Sequence, residues 1–164
     1  MPTQATLYPT RLDLAAEVRA QVIAILNQAL ADTFDLYSQT KQAHWNVKGS
    51  DFYALHEMFD AMAGELLGYV DELAERVTAL AGVAQGTVRM VAQASQLPEY
   101  PQTAVRGHEH LVALADRYAQ YARSVRQAID QTANLGDADT ADLFTEISRT
   151  VDKRLWFLEA HLHA

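Results

Sequence analysis

The chain has 164 residues, 49% of them hydrophobic and 21% charged, the balance of one globular domain with a substantial core rather than of a disordered polypeptide. It contains no cysteine, which excludes disulfides, thiolate zinc sites and cysteine nucleophiles. Its net charge of −8 speaks against simple binding to a phosphate backbone, because such affinity comes largely from Lys and Arg.

Residues 1–12 read as a short flexible tail ahead of the one domain, and the first ten residues hold no Lys or Arg. From Leu14 onward, apolar residues recur at Val18, Val22, Ile25, Ala29 and Leu36, the spacing of one helical face, which predicts a first helix reaching about Val47. Gly49 and Ser50 interrupt the pattern as a stop and a natural N-cap. A second helix then carries Leu55, Phe59, Met62, Leu66, Tyr69, Leu73, Val77 and Leu80 on one stripe. From Gly82 to Pro101 the regularity fails, which predicts a long crossover with one short helix over Val88 to Ser95. Leu111, Ala115, Tyr118, Ala122, Val125 and Ile129 mark a third long helix, and "NLGDADTAD" breaks it. A fourth runs from about Thr140 through Leu143, Ile147, Val151, Leu155, Leu158 and Leu162. Two hairpins of long helices joined by a long crossover predict an all-α, ferritin-like four-helix bundle, with a plain up-down bundle as the alternative. There is no apolar run long enough to cross a bilayer and no basic-then-apolar leader, so a cytoplasmic location without membrane contact is expected.

Chemistry concentrates on the second helix. His56 and Asp60 are four residues apart, as are Asp71 and Glu75, so each pair occupies adjacent turns of one face. The step from Asp60 to Asp71 is close to three whole turns, so all four lie within roughly a 100° arc yet about 16 Å apart along the axis. Such residues on a helix are commonly a solvated face. As ligands they cannot grip one ion within one chain, since ligand bonds are only about 2 Å long. Two copies of the helix packed antiparallel about a two-fold axis would bring His56 and Asp60 of one chain to Asp71 and Glu75 of the other, with His44 closing the site from the side. Two imidazoles with three carboxylates suit iron(II) or another divalent transition ion better than calcium or magnesium. Binding would weaken in acid, because the histidines must be neutral.

These residues carry a resemblance. "HWNVKGSDFYALHEMFD" followed by "VDELAERVTALAGVAQGT" resembles the two signature stretches of the Dps family, the DNA-protecting mini-ferritins of starved bacteria. Weaker likeness through "LADRYA" and "DKRLWFLE" extends it over nearly the whole chain. The resemblance implies a ferritin-like bundle assembled as a hollow homododecamer with ferroxidase centres at its two-fold interfaces. It carries over the metal ligands and catalytic set as His44, His56 and Asp60 of one subunit with Asp71 and Glu75 of its neighbour. Iron(II), one or two ions per site, is oxidised there by hydrogen peroxide in preference to oxygen, and the ferric mineral is stored in the cavity; apart from the resemblance, zinc is a candidate competitor for such a ligand set. Lys41 and Trp45 match neighbours of the family's site, with a surface charge and a core anchor as their ordinary roles. The resemblance further suggests that acids at the start of the fourth helix, Asp137, Asp142 and Glu146, line a pore through which iron(II) passes, whereas helix capping is their ordinary role.

Two departures stand out. Ala81 replaces the Gly, Asp or Asn usual at that point of the second signature. There is no Lys-rich terminal arm, the family's usual means of holding DNA, so storage and peroxide detoxification are favoured over direct DNA binding and nucleoid association. A DNA-packaging cage with little catalysis and a structural oligomer with a decayed site are the other classes. The Glu-x-x-His motif of larger ferritins is absent, which excludes their intrasubunit di-iron site. His108 and His110, like His161 and His163, are two residues apart and cannot chelate together on a helix, and both pairs read as surface histidines. The remaining Tyr and Trp residues read as packing.

Overall fold

A computed structural model describes residues 6–163; residues 1–5 of the expected tail lie outside the described residues. Five helices follow in order: α1 (Ala16–Asn46), α2 (Phe52–Ala79), the short α3 (Val88–Ala94), α4 (Gly107–Asn134) and α5 (Ala138–Ala160). No strand forms among the described residues; a single parallel bridge joins Lys48 to Arg106. The four-helix bundle with a short crossover helix is therefore as the periodicity predicts. α1 packs against α2 and α4 against α5, while α3 lies along α1.

The stripe on α2 is the buried one: Leu55, Phe59, Met62, Leu66, Tyr69, Leu73 and Val77 all face the core. Phe144 of α5 and Tyr118 and Tyr121 of α4 fill the space opposite. Burying a side chain of this size contributes roughly 1.5–3 kcal/mol, so the stripe is the main determinant of how α2 is oriented. The two tyrosine hydroxyls meet Thr40 and Thr33 of α1, which satisfies polar atoms that water cannot reach.

The crossover is anchored along its length rather than loose. Asp32 of α1 accepts from the Gln96 amide at 2.7 Å, and the Ser95 hydroxyl donates to Asp35 at 2.6 Å. The buried Arg117 donates to Gln39 at 2.6 Å and to the backbone carbonyls of Ala113 and Glu99. In the preceding segment Leu7 packs on the core, and the Tyr8 amide donates to the Ala81 carbonyl at 2.8 Å.

Helix ends depart from the sequence reading in instructive ways. α2 starts at Phe52 with Asp51 as N-cap residue and no side-chain cap bond, so Ser50 does not serve as the cap. α4 starts at Gly107, earlier than its first apolar marker Leu111, because Glu109 accepts from the amides of Val105 and Arg106 at 2.7 and 3.0 Å and secures the first turn. That early start takes His110 inside. It is 1% exposed, with Nδ1 2.6 Å from the Tyr100 hydroxyl, and burial holds its pKa below the usual value. His110 is thus a core residue and not a surface one. Trp156, at 63% exposure, departs in the opposite direction from its expected packing role.

The end of α2 shows what the Ala81 departure costs. The Gly82 amide bonds to the Val77 carbonyl and the Ala81 amide to that of Thr78, the paired bonds of a Schellman C-cap. Ala81 consequently sits at φ 64°, a left-handed conformation that disfavours any residue with a Cβ. The next residue, Gly82, lies under the Ile23 side chain, where a Cβ would come within 2.7 Å of Cδ1. Ala81→Gly is expected to stabilise the chain by about 0.5–1 kcal/mol, read as a higher guanidinium midpoint with an unchanged slope.

Candidate metal centre

The last turn of α1 supplies His44 and the second turn of α2 supplies His56. The loop between them is braced from α4's side, where the Lys48 amide donates to the Val105 carbonyl at 3.0 Å. The two imidazoles stack with centroids 3.7 Å apart and planes 20° from parallel. Each Nδ1 lies against the other residue's backbone carbonyl: His44 Nδ1 to His56 O at 2.7 Å, and His56 Nδ1 to His44 O at 2.8 Å. A carbonyl can only accept, so both Nδ1 atoms carry the proton and both Nε2 atoms present a lone pair. This is the tautomer a metal-binding imidazole requires, with the backbone serving as the outer partner that orients each ring.

Asp60, one turn after His56, completes this end. Its Oδ1 is 3.8 Å from His44 Nε2 and 2.7 Å from Lys41 Nζ. The Lys41 hydrogen bond and charge hold the Asp60 carboxyl below the usual carboxylate range. Trp45 is 65% exposed, with its ring 5.6 Å from Lys41 Nζ; it is no core anchor.

Asp71 and Glu75 are exposed near the other end of α2. Glu72 beside them has its carboxyl pushed up, first by burial and then by the charges of Glu146, Asp71 and Glu75. Among the described residues, no three His, Asp or Glu side chains of the single chain converge on a point that could hold a metal. His44 stacks on His56 and faces Asp60 at 3.8 Å, whereas Asp71 and Glu75 stand apart toward the far end of α2.

Between the two ends, the face of α2 is open. Leu67 is exposed there, and a Cβ added at Gly64 or Gly68 would meet nothing within 4 Å. A helix interior that spends two glycines and an exposed leucine on one face is costly in isolation and makes sense under a closely approaching partner.

At the start of α5, Asp137 is 3% exposed, accepts from the Thr140 amide at 3.1 Å and pairs with Arg76 at 2.8 Å. Its carboxylate is engaged in capping α5 and tying it to α2. Asp142 and Glu146 are exposed, four residues apart on one face, with Glu146 at the edge of hydrogen-bond reach of Tyr69. The pairing of Glu65 with Arg154 at 2.6 Å, a second link between α2 and α5, had no signature in the sequence. Among the described residues no helix is long and apolar enough to cross a membrane.

Comparison with known proteins adds the following. A family model described as the ferritin-like domain matches residues 23–164. The chain is 45% identical over 155 residues to the DNA protection during starvation protein of Agrobacterium fabrum, covering 94% of this chain and 96% of that one. Its fold superposes on DpsA14 from Streptomyces coelicolor with a TM-score of 0.94 at 31% identity, over 99% of this chain and 96% of that one. A Dps protein from Vibrio cholerae, described as a member of a broad superfamily of ferritin-like diiron-carboxylate proteins, superposes with a TM-score of 0.88 at 25% identity, over 96% and 98%.

Proposed function

This chain belongs to the ferritin-like family and within it to the Dps proteins, and we propose that it is a ferroxidase that oxidises iron(II), preferentially with hydrogen peroxide, at centres shared between two copies. The ferric product is stored inside a dodecameric shell, and removal of iron(II) and peroxide together is what protects DNA. A net charge of −8 favours this indirect protection over contact with phosphates.

One observation supports the reading: His56 and Asp60 lie toward one end of an α2 face and Asp71 and Glu75 toward the other, while His44 of α1 stacks on His56 with both Nδ1 atoms held by backbone carbonyls. Along α2, the point midway between His56 and Glu75 is also midway between Asp60 and Asp71, and it falls between Glu65 and Leu66. Antiparallel packing about a two-fold axis through that point joins both ligand halves at once, twice per dimer. Gly64, Leu67 and Gly68 flank the point, so the two backbones can approach closely where the helices cross.

The chemistry required of the protein is positioning. Carboxylates offset the positive charge of the substrate ions, and the imidazoles orient them. Two iron(II) ions supply the two electrons that reduce one peroxide to water, which avoids the one-electron path that liberates a hydroxyl radical. Asp142 and Glu146 are exposed acids suited to drawing iron(II) inward, while Asp137 fixes the start of α5 that carries them.

The test is an anaerobic iron(II) titration of the assembled protein, followed by oxygen or peroxide in separate runs. Saturable binding and a fast absorbance rise with about half an equivalent of peroxide per iron is the expected result. Light scattering should give about twelve times the 18.2 kDa chain mass. Oxidation no faster than in protein-free buffer would refute the reading.

A further inference from the structure

Lys41 occupies a carboxylate that a metal ion at the proposed centre would need. Lys41 Nζ touches Asp60 Oδ1 at 2.7 Å, and His44 Nε2 faces the same oxygen at 3.8 Å. An ion held by both His44 and Asp60 needs each donor at about 2 Å, so it must sit against the carboxylate that the ammonium already occupies. The ammonium cannot share in the ligation: it has three N–H donors, no lone pair at neutral pH, and a charge that repels the ion. It also has somewhere to go. Lys41 lies one turn before Trp45 on α1, and the exposed indole face is 5.6 Å from Nζ, within the range of a cation–π contact.

We propose that Lys41 is a displaceable counter-cation that occupies Asp60 when the pocket is empty, yields to an incoming metal ion by moving onto the Trp45 face, and returns to Asp60 as the ion leaves. Its function is to keep metal residence at the centre short, so that the site passes ions on to storage instead of retaining them. This rests on the reading of His44 and Asp60 as ligands. The rival role for the same contact is organisation, in which Lys41 holds Asp60 in the geometry the metal needs. The two roles predict opposite signs.

Anaerobic calorimetric titration with cobalt(II) at neutral pH separates them, using the assembled protein, Lys41→Met and Lys41→Arg. The proposal predicts that Lys41→Met binds about tenfold or more tightly than the parent and retains cobalt through desalting, while Lys41→Arg stays as weak as the parent. In the Asp60→Asn background the gain from Lys41→Met should vanish, because there is no carboxylate left to contest. Equal or weaker binding by Lys41→Met overturns the proposal and assigns Lys41 to organisation. Absence of binding by every protein, whatever stands at position 41, overturns the centre itself and this proposal with it.

Discussion

Alanine at both His44 and His56 is expected to slow iron(II) oxidation by at least about 100-fold and leave the helical fold in place. Loss of an outer-sphere partner of a metal ligand already costs about 10–100-fold, and here two ligands themselves are removed. The structural penalty is modest by comparison. Each ring gives up one hydrogen bond to a backbone carbonyl, about 1 kcal/mol apiece, at the partly open top of the α1–α2 hairpin. The core stripe of α2 begins beside His56, with Leu55 and Phe59, and neither substitution touches it. Stopped-flow absorbance with circular dichroism on the same samples checks both halves. A rate within a few-fold of the parent would mean that the stacked pair is a helix brace and not a metal site.

Leucine at both Gly64 and Gly68 is expected to act in opposite directions on the chain and on the assembly. Within one chain, a Cβ at either position meets nothing, and replacing glycine in a helix interior favours the helix by roughly 0.5–1 kcal/mol per site. Between two chains crossing near Glu65 and Leu66, four added side chains would hold the backbones apart. Helix content should therefore hold or rise while light scattering reports loss of the parent assembly, and iron(II) oxidation should fall on the order of 100-fold because neither half-site keeps its partner. An intact assembly with the parent rate would place the contact between copies on another face.

Which of these features could be read beforehand follows from their physical range. Helices with a stripe at 3–4 residue spacing announce themselves, because the period is a property of the backbone; the four long helices and the short one over Val88–Ala94 are where the apolar residues predict. The shared face of His56, Asp60, Asp71 and Glu75, and the distance between its two ends, are helix geometry too. What depends on contact between distant residues was not legible. His110 is polar and lies in the first turn of α4, and only the approach of Tyr100 from the crossover makes it a core residue. Asp137 is one more acid at a helix start until Arg76 and Thr140 are seen to engage it. The reciprocal bonds between His44 and His56 require knowing how close α1 and α2 run, which no spacing within one helix reports. Ala81 is the intermediate case: its departure from the usual residue is visible in the sequence, but its cost, a positive φ borne by a residue with a Cβ at the cap of α2, is not.

Co-assembly of two inactive variants tests most directly whether opposite halves of each pocket come from different chains. One variant carries His44→Ala and His56→Ala, the other Asp71→Ala and Glu75→Ala, and each alone should be inactive. In a mixed dimer, one of the two pockets draws an intact half from each chain. Random pairing at equal amounts should then restore about a quarter of the parent's iron(II) oxidation rate. No recovery from a mixture shown by mass spectrometry to contain both chains in one assembly would contradict the shared centre.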